Sequence, residues 1–317
     1  MMNPDDPILV VGAGSIGERY IRNVWQLGFK NIVVLRQRNL PFRDIGEADV
    51  KVIYSWNEAE EIKPRAAIIC TPTFLHMNNA MECVSRGIHV LIEKPLSHNL
   101  NGIEQLTLEA AHNHVWVQVG YMMRYYPLLI RVKEAMRAGT YGKLQYMNSY
   151  WGEYLPDWHP WEDYRESYAA KKQMGGGVAL TLSHDLDVCN WMVGQLPVKW
   201  SKLYSNTPNL DVDVESAADF ILAYPEGTIA HVHLNFFQKV KERWYQYVFD
   251  EAVLKIDFLK HELSISTKSK VEEIKLNPYD RNELFIAQIE DFLRNFDKPD
   301  PTINILESAK IIEICNS

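Results

Sequence analysis

The feature that most constrains the fold is a strand-length apolar run, Ile8-Leu9-Val10-Val11, that gives way at once to Gly12-Ala13-Gly14-Ser15-Ile16-Gly17. An amphipathic segment follows from Glu18 to about Leu27, with apolar or aromatic residues at Tyr20, Ile21, Val24, Trp25 and Leu27. Strand, G-x-G-x-x-G and helix in that order form a dinucleotide-binding fingerprint. The glycines permit a tight turn and let backbone amides approach a pyrophosphate at the helix N-terminus. Gly12, Gly14, Ser15 and Ile16 are therefore assigned to the cofactor. A plain glycine turn is the competing reading, and the flanking strand and helix weigh against it.

Residues 8 to about 120 repeat the alternation of short apolar runs and helical patterns. The runs are Ile8–Val11, Asn31–Leu35, Lys51–Tyr54, Ala66–Cys70, Ile88–Ile92 and Val115–Gly120, with helical segments such as Asn78–Arg86 and Asn101–His112 between them. Such alternation implies right-handed βαβ units, an α/β fold with a doubly wound parallel sheet. After Tyr121 the pattern changes. Pro127–Arg137 reads as a helix, and period-two stretches follow at Leu144–Tyr146, Ala218–Tyr224 and Thr228–Phe236. Tyr245–Phe249 and Val253–Phe258 read as a hairpin, and Glu283–Phe296 and Ile305–Ile314 as closing helices. The expectation is a Rossmann domain over 1–121 and an α+β domain over 122–317 with a large open-faced, mostly antiparallel sheet. The last helices could pack back on the first domain.

Composition narrows the function classes. At 317 residues, two domains can each bury a core. A net charge of −8, from 33 basic and 41 acidic residues, argues against nucleic acid or an anionic membrane as the main partner. No apolar stretch approaches the roughly 20 residues of a membrane helix. The acidic start, Met1-Met2-Asn3-Pro4-Asp5-Asp6-Pro7, lacks the basic and apolar regions of a signal peptide, so a cytoplasmic location is expected. Cys70, Cys83, Cys189 and Cys315 are scattered, which suggests neither a metal knuckle nor a disulfide framework.

Two further strand ends carry chemistry. Ile88–Ile92 ends in Glu93-Lys94-Pro95, and Ala66–Cys70 in Thr71-Pro72-Thr73-Phe74-Leu75-His76. Strand ends of an open α/β sheet are where such sheets bind ligands. Pro95 fixes φ and removes a donor, so the backbone beside Lys94 has a set direction. Taken alone, each motif reads equally as an ordinary strand–turn junction. In chain order, Gly12–Gly17, Thr71-Pro72…His76 and Glu93-Lys94-Pro95 closely resemble the glucose–fructose oxidoreductase, inositol dehydrogenase and rhizopine-catabolism family (Gfo/Idh/MocA). The resemblance extends to Gly175-Gly176-Gly177 followed by Thr181-Leu182-Ser183-His184-Asp185-Leu186-Asp187. It implies an oxidoreductase using NAD or NADP on a CH–OH group. Thr71, Pro72, His76, Glu93 and Lys94 would lie beside the cofactor, and the Lys94–Pro95 peptide would be cis. His184 matches the family histidine that acts as acid/base. Thr181 departs from the pattern, where aspartate is usual; a hydroxyl cannot supply the charge that raises a histidine's pKa. An acidic partner for His184 would have to come from Asp185, Asp187 or elsewhere.

Hydride transfer from a secondary alcohol needs a base for the hydroxyl proton and stabilisation of charge on oxygen. His184 suits the first task, because an unperturbed imidazole titrates near ~6.5, and Lys94 the second. Glu93 reads as a cofactor-side or lysine-positioning group. The strand Val33-Val34-Leu35 ends in Arg36-Gln37-Arg38, without the acid that holds the ribose of NAD, so Arg36 and Arg38 favour NADP.

Tyr121, Arg124, Trp158, Tyr164, Arg165 and Thr181, with Lys94 and His184, are the candidate substrate residues. The aromatic and charged loop Asp157–Tyr168 suits a polyhydroxylated ring. That loop, with Leu182-Ser183-His184, resembles members associated with surface-sugar or sialic-type acid biosynthesis, which points to a sugar, amino sugar or nucleotide sugar. Two alternatives stay open: redox-neutral glycosidase or epimerase chemistry with retained nicotinamide, and a non-catalytic dinucleotide-sensing protein. His231 and His233 resemble a metal pair without a third ligand and are read as sheet-face residues; no metal is assigned. Trp244, Tyr245, Tyr247 and Phe249 suggest an open sheet face that pairs subunits into a homodimer or homotetramer.

Overall fold

A computed structural model of the chain describes residues 2–37, 41–296 and 303–316. The chain forms two compact units, Met1–Met122 with Arg281–Ile312, and Met123–Asp280 with Glu313–Ser317.

The first unit contains β1 (Ile8–Val11), β2 (Ile32–Leu35), β3 (Lys51–Ile53), β4 (Ala66–Ile69), β5 (His89–Ile92) and β6 (Val117–Val119). These form one six-stranded sheet in the order β3-β2-β1-β4-β5-β6, with every pairing parallel. Helices α1 (Ser15–Gln26), α2 (Trp56–Ile62), α3 (His76–Val84) and α4 (Ile103–His112) make the crossovers other than that from β2 to β3, where the described residues hold a 3-10 turn at Glu47–Asp49. Every residue of β1, β2 and β4 is buried, which is why these strands read as continuous apolar runs rather than alternating ones. The strand order reverses between β1 and β4, the point at which an open sheet leaves a crevice at its C-terminal edge. The N–H of Cys70 donates to the Val11 carbonyl and that of Glu93 to the Ile69 carbonyl, so the ends of β1, β4 and β5 lie side by side.

The second unit contains α5 (Pro127–Arg137), β7 (Leu144–Tyr154), α6 (Val178–Thr181), α7 (His184–Val193), β8 (Lys199–Ser205), β9 (Ala217–Ala223), β10 (Ile229–Asn235), β11 (Phe237–Phe249), β12 (Ala252–Asp257), β13 (Glu262–Thr267) and β14 (Val271–Lys275). Its sheet runs β14-β13-β12-β11-β7-β10-β9-β8, antiparallel except for the β7–β10 pair. The edge strands β8 and β14 have no buried residue, and β8, though its exposure alternates, puts Lys202 on the half-buried side and Leu203 on the exposed one, so neither shows the apolar alternation that a sequence reading relies on. Period two also corrects one expectation. Tyr245, Tyr247 and Phe249 are buried in the core, whereas Trp244 lies on the opposite, half-exposed face. Leu203, Ile221 and Ile229 are exposed at 70%, 51% and 43% on strands β8 to β10 of this sheet.

The last helices are α8 (Asn282–Arg294) and α9 (Ile303–Asn316). The second unit is therefore not the continuous stretch 122–317, because α8 returns to cover α1. Asn23 and Asn282 exchange side-chain hydrogen bonds of 3.1 and 2.8 Å, and Phe285 meets the ring of Tyr20 edge-on at 5.8 Å. In the second unit, the buried Lys133 of α5 closes the C-terminus of α7. Its ammonium donates to the carbonyls of Trp191 and Met192, the latter at 2.8 Å, beside Gly194 at φ +77°. A cation on the last carbonyls of a helix is favoured by the helix dipole. No described helix is long and apolar enough to cross a membrane.

Candidate functional site

The glycine turn of the first unit is shaped by contact. Gly12 has φ +92°, and a Cβ there would lie 3.0 Å from the Thr71 side chain and 3.1 Å from its backbone nitrogen. A Cβ on Gly17 would lie 2.2 Å from the Gly12 carbonyl oxygen, closer than any side chain can come. Gly14 differs: a Cβ there would meet nothing within 4 Å, and this residue opens α1 without a side-chain cap. An open surface over an uncapped helix N-terminus fits a pyrophosphate, which amides and helix dipole both favour. Ser15 is exposed and Ile16 half-buried at the same turn. Glu18, one turn further, is buried and accepts the backbone N–H groups of Arg43 and Asp44, pinning the segment after β2 to α1. Arg36 is buried with its guanidinium 4.6 Å from the Phe42 ring centroid. Arg38 lies outside the described residues.

At the end of β4, Pro72 is exposed and the Thr71 hydroxyl accepts from Asn79 at 3.1 Å. His76 is buried beneath this turn, and both of its ring nitrogens face backbone carbonyls. At the end of β5, Glu93 is held from behind. The Tyr20 hydroxyl donates to Glu93 Oε1 at 2.6 Å and itself accepts from Gln288 at 2.7 Å, while Glu93 Oε2 accepts the Lys94 N–H at 3.1 Å. Burial pushes the Glu93 carboxyl above the ordinary carboxylate range, against the opposing pull of the Tyr20 hydrogen bond and the Lys94 charge. The Lys94–Pro95 peptide is cis.

In the second unit the glycine run has a packing cause. A Cβ on Gly176 would lie 2.4 Å from the Tyr168 carbonyl oxygen, and one on Gly177 2.3 Å from Glu215 Oε1. Glu215 accepts the Ala179 N–H at 3.0 Å and so holds the start of α6. Thr181 ends α6 and His184 begins α7, both buried. The acids beside His184 are fully buried, and arginines take both. Asp185 accepts from the Ser149 hydroxyl at 2.6 Å and from Arg243 at 2.8 Å. Asp187 takes Arg124 bidentately, at 3.0 and 2.6 Å. The Trp151 ring faces His184 at 6.5 Å between centroids, and the Arg243 guanidinium lies 3.6 Å from the Trp151 centroid.

The remaining candidates are placed as follows. Tyr121 is buried just after β6 in the first unit. Trp158 packs edge-on against Phe236, the Tyr164 hydroxyl accepts the Asp211 N–H, and Arg165 is exposed in a bidentate pair with Asp163. That pairing holds the Asp163 carboxyl down at about 2. His231 Nε2 and His233 Nδ1 both meet Asp219 Oδ1, at 3.0 and 2.9 Å. Among the described residues no group of three or more His, Cys, Asp or Glu is arranged to hold a metal ion. Glu215, Ser149, Trp151 and Arg243 were not anticipated from sequence. Each acts through a partner 33 to 58 positions away, beyond any local pattern.

Comparison with known proteins places these residues in context. A family model described as "Oxidoreductase family, NAD-binding Rossmann fold" matches residues 7–121, and one described as "GFO/IDH/MocA C-terminal domain" matches residues 129–255. The rhizopine catabolism protein MocA of Rhizobium meliloti is 25% identical over 204 residues, 62% of this chain and 60% of that protein. A 2,7-anhydro-N-acetylneuraminate hydratase of Mediterraneibacter gnavus is 24% identical over 153 residues, 48% of this chain and 38% of that protein. The chain thus spans less than two thirds of the length of these curated relatives. In fold it is similar to UDP-N-acetylglucosamine 3-dehydrogenase GnnA from Acidithiobacillus ferrooxidans. The TM-score is 0.77 at 18% identity, over 97% of this chain and 94% of that one.

The half-buried acid Glu215 gives a test of local electrostatics. Burial raises its carboxyl above the ordinary carboxylate range, with the Ala179 N–H and the charges of Lys202 and Lys172 opposing. A raised folded-state pKa means that the folded chain binds more protons than the unfolded chain in the window between the two values. Stability then falls as pH rises from about 4.3 through the raised pKa. Glu215→Gln keeps an acceptor for Ala179 without the charge. Urea unfolding across this window is expected to show the variant more stable than wild type above it, with the advantage fading in acid. A pH-independent difference would contradict this account.

Proposed function

The chain belongs to the Gfo/Idh/MocA oxidoreductase family, and on that premise we propose that it is an NAD(P)-dependent dehydrogenase acting on a hydroxyl or keto carbon of a sugar, amino sugar or nucleotide sugar. The observation that carries the reading is the line of three strand ends in the first unit: the Gly12 turn in contact with Thr71, and the β5 end that bears Lys94 next to it. A dinucleotide fits the uncapped α1 terminus and the open face over Gly14. A bound nicotinamide would supply the acceptor or donor of the hydride. Lys94 holds the substrate oxygen and stabilises the charge that develops on it, which a positioned ammonium does strongly where water is excluded. His184 takes the hydroxyl proton on oxidation and returns it on reduction. Glu93 acts on the lysine rather than on substrate, since Tyr20 and the Lys94 N–H occupy its oxygens. Asp187 fixes Arg124 beside α7 as the cationic contact for substrate.

The named relatives support the substrate class: one acts on a UDP-sugar, another on an anhydro sialic acid. A hydratase adds or removes water without net oxidation, so this second name favours a redox-neutral variant in which the cofactor stays bound. Lys94→Met tests the main reading. Turnover on a sugar panel, followed by nicotinamide absorbance, is expected to vanish, while cofactor affinity stays within about tenfold (~1.4 kcal/mol). Wild-type turnover in that variant would remove Lys94 from the mechanism. Cofactor retained through purification with no net absorbance change, but with converted sugar, would select the redox-neutral variant.

For the cofactor we favour NADP, on the basis of the arginines that follow β2 in place of an acid. Fluorescence titration should then give tighter binding of NADPH than NADH, and the Arg36→Ala, Arg38→Ala double variant should narrow or reverse the preference. Equal loss for both cofactors would assign Arg36 to packing on Phe42 alone. The assembly we favour is a homodimer or homotetramer through the outer face that carries Trp244, Leu203, Ile221 and Ile229. Light scattering at micromolar concentration should report a multiple of the chain mass, lowered by Ile221→Lys; a wild-type monomer would rule the pairing out.

A further inference from the structure

We propose that His76 is a positioning residue that ties the Thr71 turn to the Lys94–Pro95 turn, so that the ends of β4 and β5 present one rigid face to the dinucleotide. The proposal rests on the reading of this edge as the nicotinamide site. His76 begins α3 and is 1% exposed, out of reach of a ligand over the turn. Its Nε2 lies 2.7 Å from the Thr71 carbonyl oxygen, and its Nδ1 lies 2.8 Å from the Pro95 carbonyl oxygen. Both are hydrogen-bond distances, and both oxygens only accept. The β4–β5 ladder ends with the Glu93 N–H on the Ile69 carbonyl. Past that last rung the backbones diverge into separate turns, and the imidazole spans them. Thr71 is also the residue against which Gly12 packs. One side chain thus links the glycine turn, through Thr71, to the peptide that carries the lysine.

The ring chemistry makes the link dependent on a proton. A neutral imidazole has one N–H and donates to one of the two carbonyls, whereas the protonated ring donates to both. Burial holds the ring below the ordinary histidine range. The two carbonyls oppose that shift, while the nearby charges of Lys94 and His98 add to it. At neutral pH one bond is donated and the other contact is between an acceptor and a lone pair. Acid completes the second bond. A space-filling core histidine would show no such coupling.

Hydrogen–deuterium exchange on the full chain without cofactor tests this apart from catalysis. In His76→Phe, which keeps bulk but no donor, the amide N–H groups of residues 71, 73–75, 94 and 96–99 are expected to lose protection together in acid, where the wild-type ring donates to both carbonyls, and those of one turn only at neutral pH. The expected factor is about three- to tenfold, the net worth of one hydrogen bond. His76→Gln, whose single amide nitrogen can reach only one of the two carbonyls, should fall between. Loss confined to one turn in acid, or none in either turn, overturns the proposal even if Lys94→Met behaves as expected. Conversely, paired loss with an active Lys94→Met keeps the clamp and removes the dehydrogenase mechanism. Should the variants not fold, nitrogen-15 NMR of wild-type His76 decides. The clamp requires one slowly exchanging ring N–H at neutral pH and two in acid, with both turns gaining protection as the second appears; a ring whose protonation leaves both turns unchanged overturns it.

Discussion

The C-terminal sheet edge of the first unit depends on one close approach: the Gly12 carbonyl oxygen sits where a side chain on residue 17 would have to be. Because Gly17 has none, the first turn of α1 can fold back onto the end of β1. That contact aims the helix N-terminus over the sheet edge. Gly12 in turn has the positive φ and the bare Cα that let the turn press on Thr71. The sheet supplies the rest through its order. Because β4 and β5 follow β1 in parallel register, their ends come up beside the glycine turn, and the residues just past them, Thr71 and Lys94, follow.

The second unit solves a different problem, the burial of charge. Asp185 and Asp187 are both inaccessible to water and two residues apart on α7. Isolated buried carboxylates are costly, and only close, well-directed partners offset the loss of hydration. Arg243 from β11 and Arg124 from the segment before α5 supply them in two directions. These pairs specify how the first turn of α7 is rotated, and with it His184. Lys133 fixes the other end of the same helix through its carbonyls. A helix held by charges at both ends has little freedom to turn the histidine elsewhere.

Much of the first unit was legible in sequence because its determinants are local. Ile8–Val11 was bounded correctly by its apolar run and by Gly12. Pro127–Arg137 was bounded at its start by a proline at the first helical position. Local signals failed where no residue is buried, as in β8 and β14, and where two faces of one strand were merged, as at Trp244 and Tyr245. Glu215 and Arg243 gave no signal, because a single acid or arginine in a strand region looks like a solvated one until the partner that covers it is known.

By itself, the sequence determined the glycine fingerprint, the parallel run of βαβ units and the identity of the strand-end residues, since each of these depends on neighbours within a few positions. Only the tertiary structure decided what those residues do to one another. It put Tyr20 and Gln288 behind Glu93, arginines on the acids beside His184, Glu215 against the glycine run, and one imidazole between Thr71 and Pro95. The physical reason is that hydrogen bonds and ion pairs act over about 3 Å of space whatever the separation along the chain, so their partners are set by packing and not by spacing.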